Sequence, residues 1–241
     1  MTHFISFIRA SLAIAVAASI VYSSSAATQY VNGATIFGRC GNFAIQAGTA
    51  ISFDGVQTTV NTGNVGVSPG TSITGSLQLG TGYTRESNTI STQNCAADEL
   101  TAYGSLKGLN CTNTLVNSDL AGVTLTPGVY CSTSGVFTLS AGSLSLDAQG
   151  DASAQFIFQT TTTVITAAST NMILLNGAMA KNVYWQVGSS ATLGGGSSFV
   201  GQILADVSIT VDTGVSVVGR LYAEAAVTCA SAANITLPTQ C

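Results

Sequence analysis

The chain has 241 residues, 46% of them hydrophobic and only 7% charged, with 26 glycines and a formal net charge of −4. So apolar a composition can build a core and excludes a disordered, charge-rich chain. Six scattered basic residues against ten acidic ones provide no patch for phosphates, so neither nucleic acid nor an anionic membrane surface is an expected partner.

The first element is a leader. Arg9 precedes the apolar run ASLAIAVAASIV, and YSSSAA supplies small residues for cleavage near Ala26 or Ala27. This three-part pattern predicts a secretory signal peptide over residues 1–26. The run is shorter than the ~20 residues a membrane span needs. A single domain over residues 27–241 is expected to follow, secreted and extracellular. Cleavage removes Arg9 and His3, the only histidine, leaving five basic against ten acidic residues, a formal charge of −5.

All six cysteines lie in the mature part. An even number in a secreted chain predicts three disulfides, with fifteen connectivities open. The expected set is Cys111–Cys131, Cys229–Cys241 and Cys40–Cys95. Two glycosylation sequons, Asn110-Cys111-Thr112 and Asn234-Ile235-Thr236, are present.

Between residues 87 and 108 the sequence changes character. Helix formers surround Ala96, Leu100, Tyr103 and Leu106, and Gly108 suits a C-terminal stop. A helix from about Thr92 to Lys107 is predicted, lying beside the rest. Asp98 and Glu99 near its start read as solvated charges that complement the helix dipole.

The second half repeats. WQVGSSATLGGGSSFVGQ from Trp185 aligns with ILADVSITVDTGVSVVGR from Ile203 and LYAEAAVTCASAANITLP from Leu221, in an eighteen-residue register. The unit from Phe158 fits once a nine-residue insertion, NGAMAKNVY, is allowed. Within a unit Val207, Ile209 and Val211 alternate with Ser208, Thr210 and Asp212, which is strand periodicity. Short strands in a fixed register predict a parallel β-solenoid of triangular section, each coil hydrogen-bonded to the next at ~4.8 Å. A β-sandwich would show hairpin turns instead.

Catalytic constellations are missing from this pattern. Without a mature histidine there is no Ser-His-Asp or Cys-His system and no histidine metal site. Asp147 and Asp151 read as a polar turn between strands, and Asp206 and Asp212 lack a second cluster. The glycine run Gly194–Gly196 is followed by no lysine and no helix, so it is not a phosphate loop. It sits inside the repeat register, so it is not a linker either. No cofactor and no metal are expected, and the protein is not expected to be an enzyme.

Two outward ladders remain. One carries Ser198, Ser216 and Asn234 with Asn171, flanked by Val200, Val218 and Thr236, and turns the corner through Thr213 and Ser231. The other carries Thr192, Thr210 and Thr228 beside Ser190, Ser208 and Ala226. Both are uncharged, whereas exposed strands normally carry Lys or Glu to deter association.

The segments GNFAIQAGTAI (41–51), GNVGVSPGTSITG (63–75), LAGVTLTPGVY (120–130), AQFIFQ (154–159), LLNGA (174–178), NVYWQVGSSATLG (182–194) and FVGQILA (199–205) together resemble a secreted family of ice-binding, or antifreeze, proteins. They cover nearly the whole mature chain in order, and the cysteine set is similar to members from diatoms and sea-ice microalgae. The resemblance implies a mainly β, right-handed, discontinuous β-solenoid with one long helix packed alongside. It further implies adsorption to ice through one flat face, giving thermal hysteresis and inhibition of ice recrystallisation.

A rigid array of methyl and hydroxyl groups can hold ordered water at little entropic cost. Ser198, Thr213, Ser216, Ser231 and Asn234 are the first candidates for ice contact, and Thr192, Thr210 and Thr228 the second. The expected partner is ice with its ordered water, and the expected state is a monomer. The alternative, an extracellular adhesin or glycan-binding solenoid, would need exposed aromatic platforms, whereas Trp185 falls at an inward position. A polysaccharide lyase comes third and would need grouped acids for calcium.

Overall fold

The computed structural model describes residues 30–31 and 36–239. The expected signal peptide and Cys241 lie outside the described residues. Chain order begins with β1 (Phe43–Ala47), β2 (Ala50–Val60), β3 (Asn64–Val67), β4 (Ser72–Leu79) and β5 (Arg85–Ser87), followed by helix α1 (Ile90–Lys107). Next come β6 (Asn113–Leu115), β7 (Thr124–Leu125), β8 (Gly128–Ser132), β9 (Phe137–Leu139), β10 (Ser143–Asp147), β11 (Phe156–Thr160), β12 (Val164–Thr166) and β13 (Asn171–Leu175). The last strands are β14 (Val183–Val187), β15 (Ala191–Leu193), β16 (Ser198–Ala205), β17 (Ser208–Val211), β18 (Ser216–Ala223), β19 (Ala226–Cys229) and β20 (Asn234–Thr236).

All strand pairings are parallel, and they stack into three faces. Face A runs β6-β8-β11-β14-β16-β18-β1-β3-β5. Face B runs β9-β12-β15-β17-β19-β2-β4. Face C runs β7-β10-β13-β16-β18-β20-β2-β4. The long strands β2, β4, β16 and β18 each bend across a corner and serve two faces. The expected eighteen-residue register is present, with Trp185, Ile203 and Leu221 on successive rungs. Phe158 pairs with Trp185 across the nine-residue insertion.

The stack is discontinuous in sequence. Ile45 of β1 pairs with Leu221 of β18, so the N-terminal coils sit on the far end of the C-terminal coils. The chain must then return from β5 to β6, at opposite ends of face A. Eight steps of ~4.8 Å make roughly 38 Å. Helix α1 has 18 residues and spans roughly 27 Å at 1.5 Å per residue; residues 108–112 make up the rest.

Inward residues recur at the same place on each rung. Tyr130, Phe158 and Trp185 occupy one column, with Tyr130 and Phe158 stacked at 5.5 Å and Phe158 and Trp185 at 3.9 Å between ring centroids. Each such pair contributes about 0.5–1.5 kcal/mol beyond area burial. Trp185 is fully buried, and its Nε1 donates to Val200 O at 3.1 Å.

The corner between faces B and C explains the glycine run. Ser169, Gly196, Gly214 and Ala232 hold aligned corner positions, and all have left-handed φ, between 57° and 72°. The turn, not a ligand, requires this backbone; glycine adopts it without a Cβ penalty. Gly194 lies against the rung before it, where a Cβ would come within 2.4 Å of the Ala167 carbonyl carbon.

Helix α1 begins two residues earlier than expected. Thr89 caps it: the Thr92 N–H donates to Thr89 Oγ1 at 3.2 Å and the Thr89 N–H to Thr92 Oγ1 at 2.9 Å. This reciprocal pair satisfies two orphan donors. Gly108 ends the helix with φ −80°, so the stop does not use glycine's left-handed freedom. The buried stripe also differs from the expected one. It is Thr92, Cys95, Glu99, Ala102, Tyr103 and Leu106, whereas Leu100 is 58% exposed. The Cys40–Cys95 disulfide turns the Cys95 side toward the sheet. Glu99 therefore goes under the helix rather than into solvent. Asp98 stays on the outer side, where it pairs with Arg39 at 2.7 Å.

Cys111–Cys131 forms as expected. The Cys229–Cys241 pairing does not, because Cys229 is a free, fully buried cysteine. It occupies an inward position between Val211 and Phe53 on adjacent rungs, so a partner would have to enter the core.

Gly219 packs rung on rung: an added Cβ would stand 1.8 Å from Gly201 O. Gly219→Ala forces these backbones apart and is expected to cost ~3 kcal/mol by overpacking, measured as a lower denaturation midpoint. An unchanged midpoint would show that the corner is soft.

Candidate functional site: two outward faces

A pocket lined by Lys107, Cys131, Gln159 and Gln186 opens beside the C-terminal end of helix α1, which covers the middle of face A. Its outward residues Ile157, Tyr184, Leu204 and Tyr222 pack with Ala102, Tyr103 and Leu106. The two remaining faces carry the predicted ladders.

On face B the outward column runs Thr138, Ile165, Thr192, Thr210, Thr228, Ser52 and Thr74, one residue per rung. No register shift interrupts these seven rungs; the irregularity in the β2–β4 pair falls beyond Phe53. Beside it, Ser208, Ala226, Ala50 and Ser72 form a second column. The strands alternate strictly, with Ala191, Leu193, Ile209, Val211 and Val227 buried beneath. Ser52 Oγ donates to Thr228 Oγ1 at 3.3 Å. Among the described residues, the Thr192 and Thr210 hydroxyls have no protein partner and are left for water. Asp54 and Asp212 stand at the border with face C, outside the threonine column.

The sequence pattern named Thr192, Thr210 and Thr228 but missed Ser52, Thr74 and Thr138. Ser52 and Thr74 come from coils that join the stack only through the chain's discontinuity. A repeat search over the second half cannot reach them.

The first-choice residues divide between two places. Ser198, Ser216 and Asn234 are in register on face C, with Asn171 before them and Thr59 after. Thr213 and Ser231 lie at the B–C corner. Ser231 Oγ is already used, accepting from the Val56 N–H at 3.1 Å, where residues 54–57 bulge outward. Asn234 Oδ1 accepts from Asn61 Nδ2 at 2.5 Å, and Thr236 Oγ1 accepts from the same amide at 2.9 Å. Face C is also less regular. Strands β13 and β16 share a single pair, Asn171 with Ser198, before the inserted segment separates them. Ile173, Leu175 and Val218 are more than a third exposed there.

Asp147 and Asp151 are both taken up in turns. Asp147 accepts from the Gln149 N–H and from Asn176 Nδ2, both at 2.8 Å, which holds its carboxyl below the usual range. Asp151 accepts from the Ser153 N–H and hydroxyl. Both are turn-forming Asx contacts. Among the described residues no three His, Cys, Asp or Glu side chains are grouped to hold a metal ion. Nor is any described helix long and apolar enough to cross a membrane.

Residues 45–235 match a family described as Ice-binding-like. The chain belongs to this family. It is 40% identical over 200 residues to an ice-binding protein of Nostoc sp. (strain HG1), covering 81% of this chain and 71% of that one. It is 36% identical over 223 residues to ice-binding protein K3-B1 of Typhula ishikariensis, covering 83% and 88%. Among solved structures, an ice-binding protein from an Antarctic biological consortium superposes with a TM-score of 0.79 at 35% identity, over 85% of this chain and 91% of that one. One from the Antarctic ascomycete Antarctomyces psychrotrophicus gives 0.78 at 36%, over 85% and 98%. This is not a family of enzymes.

Burial pushes the Cys229 thiol up to about 12, so it stays protonated and walled off at neutral pH. In the Cys241→Ser protein, a thiol reagent is expected to label nothing in the native state and one cysteine after unfolding in denaturant. Rapid native labelling would show that the core opens at β19.

Proposed function

We propose that this protein is secreted and adsorbs to ice through face B, with Thr192, Thr210 and Thr228 at the centre of the contact. The observation that carries the reading is the seven-rung outward column, unbroken in register and free of charge. Each rung repeats the last at ~4.8 Å, so hydroxyl and methyl groups fall on a fixed lattice that can hold ordered water. The backbone is pinned by hydrogen bonds on both sides, so little freedom is lost on docking. Adsorbed molecules would force ice to grow between them as curved fronts, which depresses the freezing point and blocks recrystallisation.

Face C is the weaker surface. Its ladder spends hydroxyl and amide groups on internal bonds, its register is broken at β13–β16, and it carries the Asn234 sequon. A glycan on Asn234 would leave face B clear. The adhesin reading lacks its platform, because Trp185 is stacked inside the core. The protein is expected to act as a monomer, without cofactor or metal.

A tyrosine placed on the contact face lifts the array off the ice, whereas the same residue on another outward face does not. Thr210→Tyr is expected to weaken ice affinity at least about tenfold, ~1.4 kcal/mol, and to abolish most thermal hysteresis with an unchanged circular dichroism spectrum. Ser216→Tyr should keep activity. Loss in Ser216→Tyr alone would move the site to face C, and full activity in both would remove it from both faces.

A further inference from the structure

Helix α1 returns the chain from one end of the stack to the other, and its underside carries a carboxyl group without a basic partner among the described residues. Glu99 is 3% exposed and shares the buried stripe with Cys95, Ala102, Tyr103 and Leu106. The neighbouring Asp98 takes the available guanidinium, Arg39, on the outer side of the helix. The groups that face Glu99 are acidic or phenolic. Glu224 follows the end of β18, and Asp206 follows the end of β16, one rung away. Tyr222 lies on the sheet beneath, and Tyr103 is one turn along the helix. Arg220 is also buried on this face, where it lies against Tyr222; its two terminal nitrogens are engaged and its Nε has no partner among the described residues. The guanidinium donates to Gln202 Oε1 at 2.9 Å and Gly41 O at 2.8 Å, and it lies over the Phe37 ring.

We propose that Glu99 is a pH-dependent latch for helix α1. It is neutral and docked under mildly acidic conditions. As the pH rises it ionises, is repelled by Glu224, and loosens the helix from face A. An unpaired carboxylate cannot be held in a water-poor interface without a large desolvation cost, so the neutral form is the one that packs. Burial, and then the charge of Glu224, push the Glu99 carboxyl well above the ordinary value of 4.5. Glu224 is itself pushed up by burial and by Asp206. Both nearby phenols are pushed up by burial, so they stay protonated through the range.

The sign follows from linkage. Below about pH 4.5 Glu99 is neutral in both docked and released states and opposes nothing. Above that value the released state gives up its proton first. Docking then weakens with rising pH until the docked carboxyl ionises too.

The movement is bounded by two covalent pins. Cys95 holds the helix to Cys40 one turn before Glu99, and Cys111 holds the chain to Cys131 just after the helix. Loosening is therefore confined to residues 99–107, where Gln186 Nε2 donates to Tyr103 Oη at 3.0 Å. The rungs beneath keep their own hydrogen bonds, so faces B and C persist while the helix opens.

The test compares amide hydrogen exchange over residues 99–107 in the full mature protein and in Glu99→Gln, from pH 5 to pH 8.5. At each pH the ratio between the two proteins removes the intrinsic pH dependence of exchange. The ratio of wild-type to variant opening is expected to grow with pH, by a factor of ten for each unit through which the carboxyl is displaced. A constant ratio overturns the proposal, even if Glu99→Gln changes overall stability. Should Glu99→Gln fail to fold, Glu224→Gln replaces it. Removing that charge brings the docked carboxyl nearer its ordinary value, so the rise in opening should end at a lower pH and be smaller, and an unchanged rise overturns the latch.

Discussion

The fold depends on one junction, the stacking of the first coil on the last, in which β1 pairs with β18 and β2 with β19 and β20. There Ile45, Gln46 and Ala47 meet Leu221, Tyr222 and Ala223. Without it the chain would be two short stacks, each with open ends and each too small to bury its inward columns. With it, nine strands share face A and seven share face B. That single register also aligns Thr228 with Ser52 on the next face. A slip of one residue would turn every side chain in β2 over and end the outward column at β19. The corners enforce the same constraint, since each rung must travel the same perimeter before it meets the next. Left-handed residues at aligned corner positions, alanine and serine among them, are the strain tolerated to keep that perimeter constant.

Once the rungs are locked, the surface chemistry follows from what each face has to cover. Face A needs a lid because the chain must travel back along it, and helix α1 supplies both the return path and the cover. Its buried Gln186, Gln202 and Arg220 are satisfied largely by one another and by the segments laid over them. Face B has no such lid and almost no charge. On an ordinary exposed sheet that combination invites association. In the proposed reading these small groups, tied to a rigid lattice, are fitted to solid water; the relatives of this chain are ice-binding proteins by sequence and by structure.

Much of this was legible in the sequence. The eighteen-residue register is local, so a self-comparison found it, and with it the inward and outward sides of Trp185, Ile209 and Thr210. Two disulfides and the helix were also readable. What escaped depended on contacts distant in sequence. Tyr103 and Leu106 are buried as the helix pattern predicts, but in the first turns Cys95 and Glu99 take the inner side in place of Ala96 and Leu100, with Cys95 tied to Cys40. Glu99 read as solvated because a charged residue beside Asp98 normally is. Gln186, Gln202 and Arg220 read as solvent-facing strand residues, yet Gln186 meets Tyr103 of the helix, Gln202 meets Ala180 and Arg220 meets Gly41, all distant in the chain. An even cysteine count pairs Cys229 with Cys241, whereas Cys229 is free and points into the core. The proposed preference for face B reverses the order read from the sequence, which put Ser198, Thr213, Ser216, Ser231 and Asn234 first. It turned on the broken pairing at β13–β16 and on the internal bonds of Ser231, Asn234 and Thr236.

The central claim is that face B presents an ordered water lattice and face C does not. A high-resolution crystal structure with face B free of lattice contacts tests it directly. The account predicts a file of well-ordered waters between the threonine column and the Ser208–Ala226 column, repeating at the rung spacing from Thr192 to Ser52. Disordered water on face B, with a regular file over Ser198, Ser216 and Asn234 instead, would contradict it.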